Sequence, residues 1–419
     1  MVDVWLPYGK TEVCLRVPTR NFLGSVEPKE KPGVSDALKE VERALKEPIG
    51  SERLCEIAKP GDKVAIVVDG DTHPAVNNVV VPPILDELKS ANVKDENITV
   101  VFGWGTRGDA GLNEDILKRI RTVSHDPGAS DLVYVGKTRY GTKVFLNRVF
   151  AKADLKILTG MICLHSHTGY SGGANALLKV AGEETVKANY AMILHPNARV
   201  GVLDGNPIHE DMAEAVRIVK VNFILNVAVN VRGEIVKAFA GDMEKAFHEG
   251  VKLVDEMYRV PVDRRADVVV ISAGGHPEDA TLFQACESID NVLDVVKRGG
   301  VIILIAECLE GYGNPAFHDW MIKFRDLKSI EREIKRNFVW GGHKAYCLIK
   351  ALQKAQIILV SVMPDYYAVN VFRLKTARTV NEALNQAFKI AGENAKVWAV
   401  PYGNHTLPEV KVVGQPDQP

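Results

Sequence analysis

Residues 155–175 read Leu155-Lys-Ile-Leu-Thr-Gly-Met-Ile-Cys-Leu-His165-Ser-His167-Thr-Gly-Tyr-Ser171-Gly-Gly-Ala-Asn175. The apolar run up to Leu164 predicts a buried strand of the kind found in parallel sheets covered on both faces. It ends on two imidazoles, passes through a glycine-rich turn and enters an apolar segment, residues 174–180, that reads as a helix. Imidazole exchanges a proton near neutral pH or ligates a metal. At i and i+2 on a strand end, His165 and His167 project to one face. Glycines ahead of a helix leave backbone N–H groups approachable by an anion. The plain alternative is a turn that needs positive φ beside two histidines with no part in chemistry.

The same scheme recurs on either side. Residues 59–69, Lys-Pro-Gly-Asp-Lys-Val-Ala-Ile-Val-Val-Asp, predict a turn and a buried strand, followed by Asp71, Thr72, His73 and Pro74. A helix over 83–91 leads to a strand over 98–102, which ends in Gly103-Trp-Gly-Thr-Arg107-Gly-Asp109. Three apolar strands thus end in loops bearing His73, Arg107 and His165. Ligands of open parallel sheets bind beyond the carboxyl ends of the strands, so these loops are expected to meet at one cleft.

Helices over 35–45, with Ser35 as N-cap, and over 113–121, 182–194, 211–219 and 243–257 fill out this half. Strands near 132–134 and 143–147 and a hairpin of 222–230 with 235–239 complete it. The polar, proline-bearing stretch 258–265 marks the boundary, which gives expected domains of 1–262 and 263–419. The second half repeats the plan with a strand at 266–272, the loop Ala273-Gly-Gly-His-Pro277 and a helix over 282–296. A strand over 301–306, helices near 316–335 and 343–354, and a strand over 356–362 follow. The predicted class is α/β: two three-layer domains with largely parallel sheets.

Composition narrows the function classes. Of the 419 residues, 46% are hydrophobic and 25% charged, as in a globular protein. A net charge of −1 gives no electrostatic reason to expect nucleic acid or an anionic membrane as partner. No run reaches the roughly 18 apolar residues of a bilayer span. The first residues carry no basic segment followed by an apolar one, and the six cysteines are scattered without a Cys-x-x-Cys pair. The expectation is a cytoplasmic protein with reduced thiols.

No glycine loop here has the dinucleotide spacing, and there is no Gly-x-x-x-x-Gly-Lys-Ser/Thr. His165 and His167 have the spacing of strand-borne zinc ligands, with His195, His209, Glu210 and Asp211 as further donors. Taken singly, His195, His209, His248, His318 and His343 read as structural histidines. Arg107 offers a planar fork for a carboxylate or phosphate. Trp340 can stack on a planar ligand, and Gln284, at a helix start, can hydrogen-bond one.

With these residues in view, the chain resembles the nickel-pincer-nucleotide lactate racemases and related 2-hydroxy-acid racemases and epimerases, nearly end to end. The resemblance is carried by Leu6-Pro-Tyr-Gly-Lys10, Pro48-Ile-Gly-Ser51, residues 59–69 with the Asp-Thr-x-Pro continuation at 71–74, and His165 before Gly169-Tyr-Ser-Gly-Gly173. It continues through Pro196-Asn-Ala-Arg199, Gly205-Asn-Pro207, Ser272-Ala-Gly-Gly275, Gln284, Gly311-Tyr-Gly313 and Trp340. The resemblance implies a site in the cleft between two domains. It implies a small hydroxy-acid substrate, and a nickel-bearing nucleotide that takes a hydride from C2 while histidines move the hydroxyl proton. Catalytic roles fall on His165, His73 and Arg107. Cofactor contacts fall on Asp69, Asp71, Thr72, Ser171, Gly172, Gly173, Gln284 and Trp340, with His195 or His167 at the metal.

The departures are also specific. Loop 103–109 lacks the family's second histidine, and His73 stands where an arginine is expected. Asn175 stands at the cofactor-tethering lysine, with Lys179 one turn on, and Tyr190 at a nickel-ligating histidine. Phe283 and Glu287 stand at a tyrosine and a carboxylate-binding lysine. The first reading is therefore a racemase or epimerase of altered substrate, its cofactor held without a covalent tether. The others are a His165/His167 zinc-dependent hydrolase or lyase on the same scaffold, and a non-catalytic protein that binds a nucleotide or small acid. Glu287 in place of a cation argues against simple lactate, since like charges repel strongly when desolvated.

Overall fold

Val64–Val68 and Ile98–Phe102 have no polar face and are buried throughout. Strands of this kind need a neighbour on each edge and cover on each side. The computed structural model, which describes residues 1–68, 74–106, 108 and 110–411, sets them inside a six-stranded sheet. Its order is Ile235–Gly241, Phe223–Val229, Leu155–Met161, Val64–Val68, Ile98–Phe102, Arg121–Ser124. Every pairing is parallel except the edge hairpin of Phe223–Val229 with Ile235–Gly241. Val68 lies beside Phe102, so those two strands end side by side, while Leu155–Met161 runs three residues past Leu158, which pairs with Val67.

Local signals misplace several element ends. Asp36, not Ser35, caps the helix Ala37–Lys46, its carboxylate accepting from the Lys39 amide at 3.1 Å. Pro82 and Pro83 suggest a helix start, yet Pro74–Ser90 runs through both. Val76 and Val80, ahead of the prolines, join Ile66, Val68 and Val100 in one core, and that burial outweighs the local preference. The central strand stops at Met161, and a separate small hairpin pairs Leu164–His165 with Gly169–Tyr170. Gly173–Val180 coils as a 3₁₀ helix.

The chain forms two units, Glu30–Glu256 and a second made of Met1–Lys29 with the chain from Met257 on. These units differ from the expected division into 1–262 and 263–419 mainly in grouping residues 1–29 with the second half. Phe22–Ser25 is the edge strand of the second unit's sheet, parallel to Val397–Val400. The hairpin of Val2–Tyr8 with Thr11–Val17 buries Val4, Leu6, Leu15 and Val17 in the core that holds Val268, Val270 and Ile303. That sheet runs Lys375–Ala377, Gln356–Val360, Val296–Ile305, Ala266–Ser272, Val397–Val400, Phe22–Ser25, and is parallel throughout. Helix Val380–Ala391, with Thr379 as N-cap, covers part of it through Val380, Ala383, Leu384 and Ala387. That helix is an addition to the elements expected from sequence. All six cysteines are unbridged. Among the described residues no helix is long and apolar enough to cross a membrane.

Helix Pro207–Val219 holds two buried polar groups that locate the first unit's connections. Asp211 is fully buried and accepts from the Thr138 hydroxyl, from the Thr142 hydroxyl at 2.9 Å and from the Asn189 amide at 2.9 Å. It thereby ties the turn between Val133–Lys137 and Lys143–Leu146 to two helices. Asp211→Ala strands three buried donors and is expected to cost about 3 kcal/mol in urea unfolding; a loss under about 1 kcal/mol would contradict this account.

His209, two residues earlier, is buried and stacks on Phe247 with ring centroids 5.8 Å apart. Burial, then the neighbouring His248, pushes its imidazole pKa down to about 4. From pH ~6.5 down to ~4 the unfolded chain takes up a proton here that the folded chain refuses, so stability falls with pH in that window. The loss amounts to about 3 kcal/mol. Urea midpoints measured across that window should show a steeper decline for the native chain than for His209→Leu.

Candidate active site

The His165 hairpin exists because of what Gly169 lacks. Gly169 has φ +84°, and a Cβ there would lie 2.1 Å from the Val202 carbonyl oxygen, so a side chain would break the contact with the 201–202 turn. The tight turn aims the backbone amides of His167 and Thr168 at Nδ1 of His165, each at 3.2 Å. Nδ1 accepts both bonds, so the proton of the neutral ring resides on Nε2. A second proton can enter only at Nδ1, by breaking both bonds.

His167 is buried, and its ring meets His165 edge-on at 5.8 Å. The i, i+2 alternation expected of a strand does not apply, because the hairpin turns between the two residues. Asn206, fully buried, holds the turn by donating to the His167 carbonyl at 2.9 Å and the Val202 carbonyl at 3.0 Å.

The glycine turn that follows is tightly engaged. The Ser171 hydroxyl donates to the Met161 carbonyl at 2.9 Å and accepts from the Cys163 amide at 3.1 Å. The Gly173 N–H, expected to face an anion, donates instead to Asn226 Oδ1 at 2.9 Å. A Cβ on Gly172 would lie 2.9 Å from the Met161 carbonyl oxygen, and one on Gly173 would lie 2.6 Å from the Phe247 ring. Asn226, fully buried on Phe223–Val229, also donates to the Gly160 carbonyl at 3.2 Å. It clasps the glycine turn to the central strand. The sequence signal for it is an asparagine inside an otherwise apolar strand, a buried polar group that must have partners.

Asn175, at the expected tether position, donates through its side-chain amide to the Tyr170 carbonyl at 2.7 Å. Its Oδ1 is buried without a hydrogen-bond partner among the described residues. Lys179 lies with its ammonium 5.6 Å from the Trp104 ring centroid. Trp104 donates through its backbone to the Lys179 carbonyl at 2.9 Å and through its indole to the Leu178 carbonyl at 3.1 Å. The loop after Ile98–Phe102 is thus joined to the end of the 3₁₀ helix. His195 is exposed, and its Nδ1 accepts from the Asn197 amide at 3.2 Å. Tyr190 is buried. Asp69, Asp71, Thr72, His73 and Arg107 lie outside the described residues. Among the described residues, no three His, Cys, Asp or Glu side chains are placed to hold a metal ion.

In the second unit, Thr281 caps the helix Leu282–Val292, accepting from the Gln284 amide at 3.2 Å and donating to Gln284 Oε1 at 2.8 Å. Gln284 is exposed on the first turn. Trp340 is at the surface, its ring 4.8 Å from buried His343. Glu287 is not an isolated carboxylate. The buried Lys344 ammonium donates to it at 3.0 Å and sits 5.7 Å from the Phe283 ring centroid. Burial pulls the Lys344 pKa down, but Glu287 and Asp290 together hold it above its ordinary value. Glu287 is therefore paired with a cation from a different helix and is not a lone negative charge.

The glycine turn supplies a direct check. Gly173→Ala combines a positive φ of +52° with the clash against Phe247. It is expected to cost ~2–4 kcal/mol in urea unfolding, against less than about 1 kcal/mol for the equally left-handed but open Gly233→Ala. Equal costs at the two positions would show that the turn does not depend on that packing.

Residues 8–201 match the lactate racemase N-terminal domain family, and residues 262–407 the lactate racemase C-terminal domain family. The chain is 31% identical to a lactate racemase of Thermoanaerobacterium thermosaccharolyticum over 96% of its own length and 98% of that protein's. It is 30% identical to a lactate racemase of Lactiplantibacillus plantarum, over 96% and 99%. It superposes on the lactate racemase apoprotein structure from T. thermosaccharolyticum with a TM-score of 0.89 at 30% identity, covering 97% of this chain and all of that one. A Thermotoga maritima protein at 18% identity and TM-score 0.66 shares the fold alone. The described residues have that fold from end to end, and the sequence matches both of its halves: the chain belongs to the lactate racemase family.

Proposed function

We propose that this chain is an isomerase that inverts C2 of a small 2-hydroxy acid of the lactate type. The observation that carries the reading is His165, held by two backbone N–H groups with its proton on Nε2, in a chain that matches lactate racemases along almost their whole length. Inversion at C2 needs the carbon to become planar and hydrogen to return to the opposite face. The C2 hydrogen of a hydroxy carboxylate is very weakly acidic, so a hydride acceptor, which the nickel-bearing nucleotide would supply if bound, would spare the chain a high-energy carbanion and return the hydride to the resulting keto acid.

The described residues do not fit the tethered form of the cofactor that the resemblance implies. Asn175 offers no nucleophile, and its amide is engaged with Tyr170. What His165 contributes is a donor. Nε2–H can hold the C2 oxygen as hydroxyl or as carbonyl and so orient the acid before and after planarisation. The group that removes the hydroxyl proton must be another one, and the sequence offers His73. Arg107 is suited to grip the carboxylate.

A hydrolase built on His165 and His167 has less support. Nδ1 of His165 already accepts two bonds, and His167 is buried against it.

The test uses protein from a host that makes the nickel cofactor, given either enantiomer of lactate and of longer 2-hydroxy acids, with products resolved by chiral chromatography. Inversion of at least one acid is expected, and His165→Gln should lower kcat 10²-fold or more while urea stability stays native. Inversion of none, or a His165→Gln variant that turns over at the native rate, would sink the reading.

A further inference from the structure

The second unit carries a group of polar and aromatic side chains that the steps above do not use. Helix Leu282–Val292 starts from the loop that follows strand Ala266–Ser272, and helix Gly342–Lys354 runs back into strand Gln356–Val360. Both helix starts therefore lie at the carboxyl edge of this parallel sheet, where open α/β sheets take their ligands. The loop after Val296–Ile305 joins them there, its Gly311 carbonyl accepting from the Leu282 amide at 3.0 Å. Buried His343 links the two starts, its ring centroid 6.3 Å from that of Phe283 and 4.8 Å from that of Trp340.

Gln284 and Glu287, three residues apart, share the exposed face of the first helix. Both are held in place from behind. Gln284 Oε1 accepts from the Thr281 hydroxyl at 2.8 Å, so the amide presents its N–H donors on the other branch. The Glu287 side chain is 49% exposed, while that of Lys344, whose ammonium donates to it at 3.0 Å, is 3% exposed. The cation thus approaches the carboxylate from the protein side. An ionised carboxylate accepts about four hydrogen bonds, so one ammonium leaves acceptor capacity toward solvent.

We propose that these groups recognise hydroxyls on the tail of a ligand. Under the isomerase reading, on which this rests, the acid inverted at C2 is a polyhydroxylated 2-hydroxy acid of the aldonic type. Glu287 accepts from a hydroxyl beyond C2, and the Gln284 amide donates to a neighbouring one. The Trp340 indole, partly exposed, gives the carbon chain an apolar face. Other tails fit the group less well. A second carboxylate or a phosphate would meet the charge of Glu287. An ammonium would come beside that of Lys344, in a pair that is already neutral. A plain alkyl tail would strip water from a carboxylate and an amide and return no partner, a loss that a site built for hydroxyls turns into discrimination.

The test is calorimetric titration of the intact chain, from a host that makes the nickel cofactor, with gluconate, 2-hydroxyhexanoate and 4-amino-2-hydroxybutyrate. The C2 configuration of the products is then resolved by chromatography. Gluconate should bind roughly tenfold or more tighter than either of the others. Glu287→Gln, which keeps an acceptor for Lys344, should cut that preference to about threefold or less. Should that variant fail to fold, the exposed Gln284→Ala reads the same preference, which should fall by about threefold or more. Either of the other acids binding as tightly as gluconate, a preference unchanged by the substitutions, or no saturable heat with gluconate would each overturn the inference, and inversion of any acid would leave the isomerase reading standing. Tight gluconate binding without inversion of any acid would support the recognition of hydroxyls and sink the isomerase reading.

Discussion

Close approach at Gly169, Gly172 and Gly173, to backbone at the first two and to a buried ring at the third, is the constraint on which the first unit's candidate site depends. Each position lies at positive φ, and each would drive a Cβ into something that cannot yield, a carbonyl oxygen at Val202 or Met161 or the ring of Phe247. Without those approaches the His165 hairpin would not seat on the 201–202 turn. The two amides that fix its tautomer would then point elsewhere. The glycines therefore act through the shape they permit. Sequence pattern suggests a second role for them as bare donors to an anion, and at Gly173 that donor is already engaged by Asn226.

The polar groups around the turn follow one rule: nearly every atom that reads as available from the sequence has a structural partner in the fold. Ser171 bridges Met161 and Cys163, Asn175 binds Tyr170, and Asn206 holds the His167 carbonyl. Burial without a partner costs about 1–3 kcal/mol per group, so a chain that crosses its own core this often must place donors against acceptors. One consequence reaches chemistry. His165 enters any reaction as a ring with Nδ1 occupied, which makes it a donor through Nε2 before it can be anything else.

Charge in the second unit is balanced across helices. Glu287 reads as the loss of a cation when the helix Leu282–Val292 is considered alone, but Lys344 from Gly342–Lys354 restores one within 3.0 Å. A reading of one residue at a time misses that pairing, because the partner lies 57 positions away.

What the sequence determined by itself was whatever depends on short-range pattern. The largely apolar runs Ile98–Phe102 and Ala266–Ser272 announced their strands with the right ends, and the stretch 59–69 announced the buried strand Val64–Val68 within it, since no other element hides a two-faced apolar segment so well. The family was also legible, through ordered motifs from Leu6 to Trp340. Tertiary structure decided the matters that rest on distant pairing. Phe22–Ser25 crosses into the second unit because Val397–Val400 offers an open parallel edge, a match that no local preference encodes. The partners of Asp211, Asn226 and Lys344 lie 22 to 73, 53 to 66 and 57 residues away. A hydrogen bond depends on where two atoms meet in space, and chain order does not specify that meeting until the sheet is built.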